Sequence, residues 1–230
     1  MSAAPASPTH QPGEDQALAL AETRAWVDRA VIGLNLCPFA KAPQIKGQVR
    51  YVVSAATDPA GLLADLINEL EVLAEANPER IETTLLIHPQ VLGDFAAYND
   101  FVALAEDTVA ELDLEGILQV ASFHPDYQFD GTAPDDIDNA TNRSPYPILH
   151  LIREASIDRA VAAFPEAEAI FEVNIATMQK LGPAGWAALQ RQCRADAALQ
   201  VQAQLQAPPQ SPPQSQLQAK SLPLDAGSRD

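Results

Sequence analysis

Between Phe123 and Glu154 the chain gathers two of its four histidines, a cluster of acids and the run Asn142-Arg143-Ser144-Pro145-Tyr146-Pro147. Such density of reactive and polar side chains on a connector marks a functional loop rather than a plain link. Pro147 reads as the first residue of a helix, which would place His150 and Glu154 four apart on one face. A carboxylate so placed orients an imidazole and raises its basicity. That pair suits general acid or base work, a contribution of roughly a hundredfold to ten thousandfold in rate. Just upstream, Asn142, Arg143 and Ser144 would combine a guanidinium with free amides at the helix start, a natural cradle for a carboxylate or phosphate. Cys37, in Leu36-Cys37-Pro38-Phe39-Ala40, and His124 complete the set as groups that could attack or assist.

Each of these residues also has a plainer reading. His150 and Glu154 can be a structural hydrogen bond, Arg143 can pair with Asp135, Asp136 or Asp138, and Ser144 can simply help cap a helix. Cys37 can be a small buried hydrophobe, and Cys193 is expected to be inert. His88-Pro89 and His124-Pro125 each close a strand, so two imidazoles can share one sheet edge or merely mark where strands stop. His88, His124, His150 and Glu154 could together supply nitrogen and oxygen ligands to zinc or iron, although only the last two have a defined spacing. The sequence has no glycine-rich phosphate loop, no Gly-x-Ser-x-Gly elbow and no His-Glu-x-x-His. No cofactor is specified.

The elements that must position these groups alternate. Trp26, Ala30, Val31 and Leu34 recur at helical spacing, predicting a helix over 15–34. A strand follows at 49–54. Asp58-Pro59 is a cap and first-position pair, ahead of a Leu62, Leu66, Leu70, Leu73 stripe. Thr83 to Ile87 reads as the second strand and Asp94 caps a helix carrying Tyr98, Phe101, Ala105 and Leu112. Ile117 to Phe123 reads as the third strand. Helices are then expected from Pro147 to Phe164, from Pro165 to Leu181, and from Gly185 to Ala198. Strand, helix, strand, helix, strand argues for parallel strands joined by crossovers. The fold expected is a single α/β domain with a short, mainly parallel sheet of about three strands, its ligands beyond the strands' carboxyl ends.

Composition bounds the rest. With 230 residues and 47% apolar side chains the chain can bury a core without staples. Two isolated cysteines imply reduced thiols and a cytoplasmic setting. A formal charge of −17 repels a phosphate backbone, so nucleic acid is not an expected partner. No window has the apolar length of a membrane span and the start has no signal character. Residues 1–13 are rich in Ala, Pro and Ser, and 201–230 in Gln, Pro and Ser, which predicts disordered tails around a domain over 14–200.

Three segments carry a resemblance: Leu34-Asn35-Leu36-Cys37-Pro38-Phe39-Ala40, Phe123-His124-Pro125, and Thr141 through Glu154. Over roughly residues 15–198 the chain resembles an uncharacterised, mainly bacterial family called domain of unknown function 1415. The resemblance implies a family and no activity, so it assigns no residue a role. The residues themselves point first to a small-molecule enzyme using acid-base or thiol chemistry on an anionic substrate. In that reading His150 with Glu154 moves the proton, Asn142, Arg143 and Ser144 hold the anion, and Cys37 or His124 attacks or assists. A metal- or metabolite-binding protein without turnover, and a structural domain whose polar residues pin the long loop, are the alternatives. Oligomeric state is not specified.

Overall fold

A computed structural model of the protein describes residues 12–163 and 169–206. Helix α1 spans Pro12–Trp26 and continues into a π-helical segment, Val27–Ile32, so the predicted helix over 15–34 is present with a widened last part. Ala19, Thr23, Trp26 and Ala30 form its buried stripe. The widening brings the chain close to itself at Gly33, whose helical backbone would put a Cβ 2.3 Å from the Arg29 carbonyl oxygen. Gly33→Ala is therefore expected to cost about 1–3 kcal/mol, the usual penalty for forcing extra atoms into a filled site. A urea-unfolding midpoint equal to that of the wild type would show that the turn relaxes freely.

A short helix, α2 (Lys41–Ile45), leads to strand β1 (Val49–Val53). Helix α3 (Pro59–Glu75) starts as its sequence dictates, with the Asp58 carboxylate accepting from the Gly61 amide at 2.9 Å. Strand β2 is Thr83–Ile87. Helix α4 (Phe95–Glu111) is capped by Asp94, which accepts from the Ala97 amide at 3.0 Å. Strand β3 is Leu118–Phe123, and a 3-10 turn over Ile137–Thr141 interrupts the loop after it.

The segment after Pro147 departs from expectation. Ile148–Arg153 is strand β4, and only at Glu154 does helix α5 begin, running to Ala163. Ile148, Leu149 and Leu151 are all buried because β4 lies inside the sheet, between β2 and β3. A run apolar on two sides fits a strand covered on both faces as well as a buried helix, and its six residues suit the strand. The sheet is thus mixed and four-stranded, in the order β1-β2-β4-β3, and not mainly parallel with three strands. β1 and β2 are parallel, while β4 runs antiparallel to both of its neighbours.

Helix α6, Ile170–Gln206, is two helices meeting at Gly182, whose φ of 67° and following Pro183 break the ladder where the sequence places the break. The predicted start of this region at Pro165 lies outside the described residues. The expected terminal tails lie mostly outside them as well, except that Pro12 and Gly13 open α1 and residues 201–206 extend α6.

The sheet buries its two faces differently. On one, Leu86, Leu118, Leu149 and Leu151 pack under α3 and α4, against Leu62, Leu66, Leu70, Leu73, Tyr98 and Phe101. On the other, Leu85, Ile87 and Ile148 meet Trp26, Val27, Met178 and Trp186 from α1, the π segment and α6. Those helices do not cover the whole face. A cavity of about 770 Å³ opens over the remainder, with Leu85, Ala121, His150 and Ile152 on its floor.

Candidate functional site

The cross-strand register sets this floor. Leu85, His150 and Ala121 are direct partners across β2, β4 and β3, so their side chains project from one face. Thr83, opposite Ile152, projects there too. The walls are Trp26, Val27 and Val31 from the end of α1 and the π segment, the segment carrying Cys37 to Pro43, and Ser156, Ile157, Arg159 and Ala160 from α5. Most of the lining is apolar. Lys46, Glu79, Glu82 and Arg159 add charge. Arg159 donates to Glu82 at 3.0 Å, whereas Lys46 has no carboxylate partner among the described residues.

His150 and Thr83 are polar groups of the floor. The Nε2 of His150 lies 2.7 Å from the Thr83 hydroxyl oxygen, and no protein group described bonds the ring's Nδ1. Burial pushes its pKa down to about 4, so the ring is neutral at physiological pH. Cys37 reaches the same cavity from the wall. Burial raises its thiol pKa, partly offset by hydrogen bonds from the Phe39 and Ala40 backbone, so it rests as a thiol rather than a thiolate. Its loop is held by hydrogen bonds from the Cys37 amide to the Val31 carbonyl (3.3 Å) and from the Asn174 side chain to the Leu36 carbonyl (2.8 Å).

The other sequence-predicted residues lie elsewhere. His124 is fully buried on the opposite face of the sheet, against Phe95 and Tyr98. Its Nε2 donates to the Leu92 carbonyl at 3.1 Å and its Nδ1 accepts from the Asp126 amide at 3.0 Å, which occupies both nitrogens. His88, also fully buried there, donates from Nδ1 to the Val91 carbonyl at 3.1 Å and stacks on Tyr98. With His150 on the far face, His88, His124, His150 and Glu154 do not converge. Among the described residues no group of three or more His, Cys, Asp or Glu is arranged to hold a metal ion.

The polar run before β4 holds its own loop. Arg143 donates from Nε to the Tyr127 carbonyl at 3.2 Å and from Nη2 to the Pro134 carbonyl. Asn142 donates to the Ser122 carbonyl at 3.3 Å, and Ser144 donates to the Tyr146 carbonyl. Arg143 and Ser144 do border a cavity, but one of about 60 Å³. That is room for about two water molecules. Glu154 opens α5, and no contact joins it to His150, because the one-face spacing expected of a helix does not apply across a strand end.

The geometry therefore unites Cys37 and His150, 113 positions apart in sequence, and separates His124, Asn142, Arg143, Ser144 and Glu154 from them. Thr83 and Lys46 are missing from the sequence-based set. Thr83 is recognisable only through strand register, and Lys46 only once the loop before β1 is seen to form the cavity mouth. A family model described as "Protein of unknown function (DUF1415)" matches residues 18–188. No curated protein and no solved structure matches the chain.

Proposed function

From the premise that the chain belongs to the DUF1415 family, whose function is unknown, we propose a small-molecule enzyme whose site is the cavity over β2, β4 and β3. The observation that supports this most is a neutral imidazole with an unoccupied nitrogen on the floor of a large, mainly apolar cavity. Polar groups few in number and convergent in an apolar pocket are the usual pattern of a site. His150 takes a proton from the bound molecule at Nδ1, leaving the electron pair on the substrate atom, and returns it at the end. Cys37, held protonated, supplies a second hydrogen-bond donor or proton. The apolar walls exclude water and strengthen both interactions. The substrate has an apolar body that fits the floor and an anionic group that meets Lys46. The anion site thus moves from Arg143, which is engaged by carbonyls, to the cavity mouth.

An aryl bromomethyl ketone carrying a carboxylate, such as 4-(bromoacetyl)benzoate, tests this directly. Peptide mapping is expected to find the label on His150 or Cys37 and not on Cys193. Ala121→Trp, which fills the floor, is expected to slow labelling at least about tenfold, a change equivalent to about 1.4 kcal/mol. Because His150 is already neutral, its labelling rate is expected to be flat from pH 5.5 to 8, unlike that of an ordinary histidine with a pKa near 6.5. Labelling spread over the surface, or unaffected by Ala121→Trp, would remove the proposal.

A further inference from the structure

The hydroxyl of Thr83 makes two hydrogen bonds on the cavity floor with a single proton to give. Its Oγ1 donates to the Leu151 carbonyl at 2.7 Å, and a carbonyl can only accept. Its other contact, to His150 Nε2, is also 2.7 Å. Both are hydrogen bonds only when the imidazole is the donor there. A neutral imidazole carries one N–H, so a proton on Nε2 leaves Nδ1 with a bare lone pair.

Resting on the function proposed above, we propose that Thr83 is a positioning residue that fixes His150 as its Nε2–H tautomer and makes Nδ1 the nitrogen that meets the substrate. The chain is His150 Nε2–H to Thr83 Oγ1–H to Leu151 O, and it ends on the backbone of the strand that carries His150. It orients the ring without a carboxylate, which is the work the sequence expectation gave to Glu154. Carboxylate-backed histidines gain basicity from the adjacent charge. A hydroxyl and a carbonyl supply direction without that charge, and the ring stays a neutral acceptor. The substrate class follows from this arrangement. It is a molecule that offers Nδ1 a proton which a neutral, uncharged base can accept, from an acidic O–H, N–H or activated C–H adjoining its apolar body. Both ends of the relay are backbone-determined: Thr83 begins β2 and sits diagonal to His150 in the register, so the geometry is built into the sheet.

Nitrogen-15 NMR of histidine-labelled protein tests the assignment, with His150→Gln identifying which signals belong to His150. The expected wild-type spectrum has a protected N–H on Nε2 and an unprotonated Nδ1. Thr83→Val keeps the branched shape that suits a strand and removes the hydroxyl, and is expected to lose the protected N–H resonance. Thr83→Ser is expected to restore it. The bromomethyl ketone label is expected on Nδ1 in the wild type, and to become divided between the two nitrogens in Thr83→Val. A wild-type proton on Nδ1, or an Nε2–H resonance unchanged in Thr83→Val, overturns the inference. Should Thr83→Val fail to fold, the wild-type spectrum and Thr83→Ser still decide it. The spectra read the tautomer whether or not the probe enters the cavity, so failure of the enzyme reading, seen as absent labelling, is distinguishable from failure of the relay.

Discussion

Arg153→Ala is expected to destabilise the protein by about 3–5 kcal/mol, more than any other single change considered. Arg153 ends β4 with its side chain buried, and among the described residues its guanidinium bonds no carboxylate. It donates instead to the Leu73 carbonyl, to the Ala76 carbonyl at 2.7 Å and to the Ile81 carbonyl at 3.3 Å. Leu73 and Ala76 belong to the last turn and cap of α3, where carbonyls lack helical partners. Arg153 is therefore the C-terminal cap of α3, reached from the sheet. Removing it orphans up to three acceptors, each at about 1–3 kcal/mol where buried. Against a total stability of about 5–15 kcal/mol, the loss is severe. Arg153→Lys is expected to recover only part, since lysine has no counterpart of the Nε–H that Arg153 gives to the Ile81 carbonyl at 3.4 Å. Urea unfolding at neutral pH measures both variants, and a loss below about 1 kcal/mol for Arg153→Ala would refute the capping role.

The same residue shows where sequence reading reaches its end. Elements with local punctuation are legible: Asp58-Pro59 and Asp94 cap α3 and α4 as their side chains dictate, and Gly182-Pro183 breaks α6. β4 follows Pro147, which suits the start of a strand as well as that of a helix. Ile148-Leu149-His150-Leu151-Ile152 is short and apolar apart from His150, and whether it coils or extends is decided by the two strands that flank it. Reading it as a helix places His150 and Glu154 on one face, as neighbours. With the strand in place, His150 belongs to the face shared with Leu85 and Ala121, and Arg153 to the face packed by α3.

The candidate site was half legible for a similar reason. Cys37 and His150 stand out by residue type, and the cavity unites them. Arg143 and His124 stand out equally, yet backbone carbonyls and amides occupy them. Type identifies groups able to do chemistry, whereas hydrogen bonding decides which are left with capacity to do it. In the long loop that capacity is spent on holding an irregular backbone, whose polar groups must find partners when buried. Thr83 is the reverse case, an unremarked strand residue whose hydroxyl gains meaning from the ring across the sheet.

Acidification is expected to remove about 3 kcal/mol of stability through His88 alone. Its ring is fully buried between Val91 and Tyr98, with Nδ1–H given to the Val91 carbonyl and Nε2 without a partner among the described residues. Burial lowers its pKa to about 4, from 6.5 in the unfolded chain. Above pH 6.5 neither state binds a proton at this group and the fold keeps its full stability. Between 6.5 and 4 the unfolded chain takes up a proton that the folded chain refuses, so stability falls with falling pH. Below about 4 both states are protonated and this loss levels off. A fall from 6.5 to about 4 corresponds to about 3 kcal/mol. His150, pushed to about 4 by burial, acts in the same window, and His124, lowered by the same cause, adds to it. His88→Gln keeps a polar side chain and cannot titrate. Urea unfolding at pH 7, 5.5 and 4.5 is expected to show a shallower decline for His88→Gln than for the wild type, whatever the variant's stability at pH 7. Parallel declines would mean that His88 gains its proton without unfolding the site. Combining His88→Gln with His150→Gln separates the two faces of the sheet: if each imidazole is desolvated independently by its own face, their contributions add.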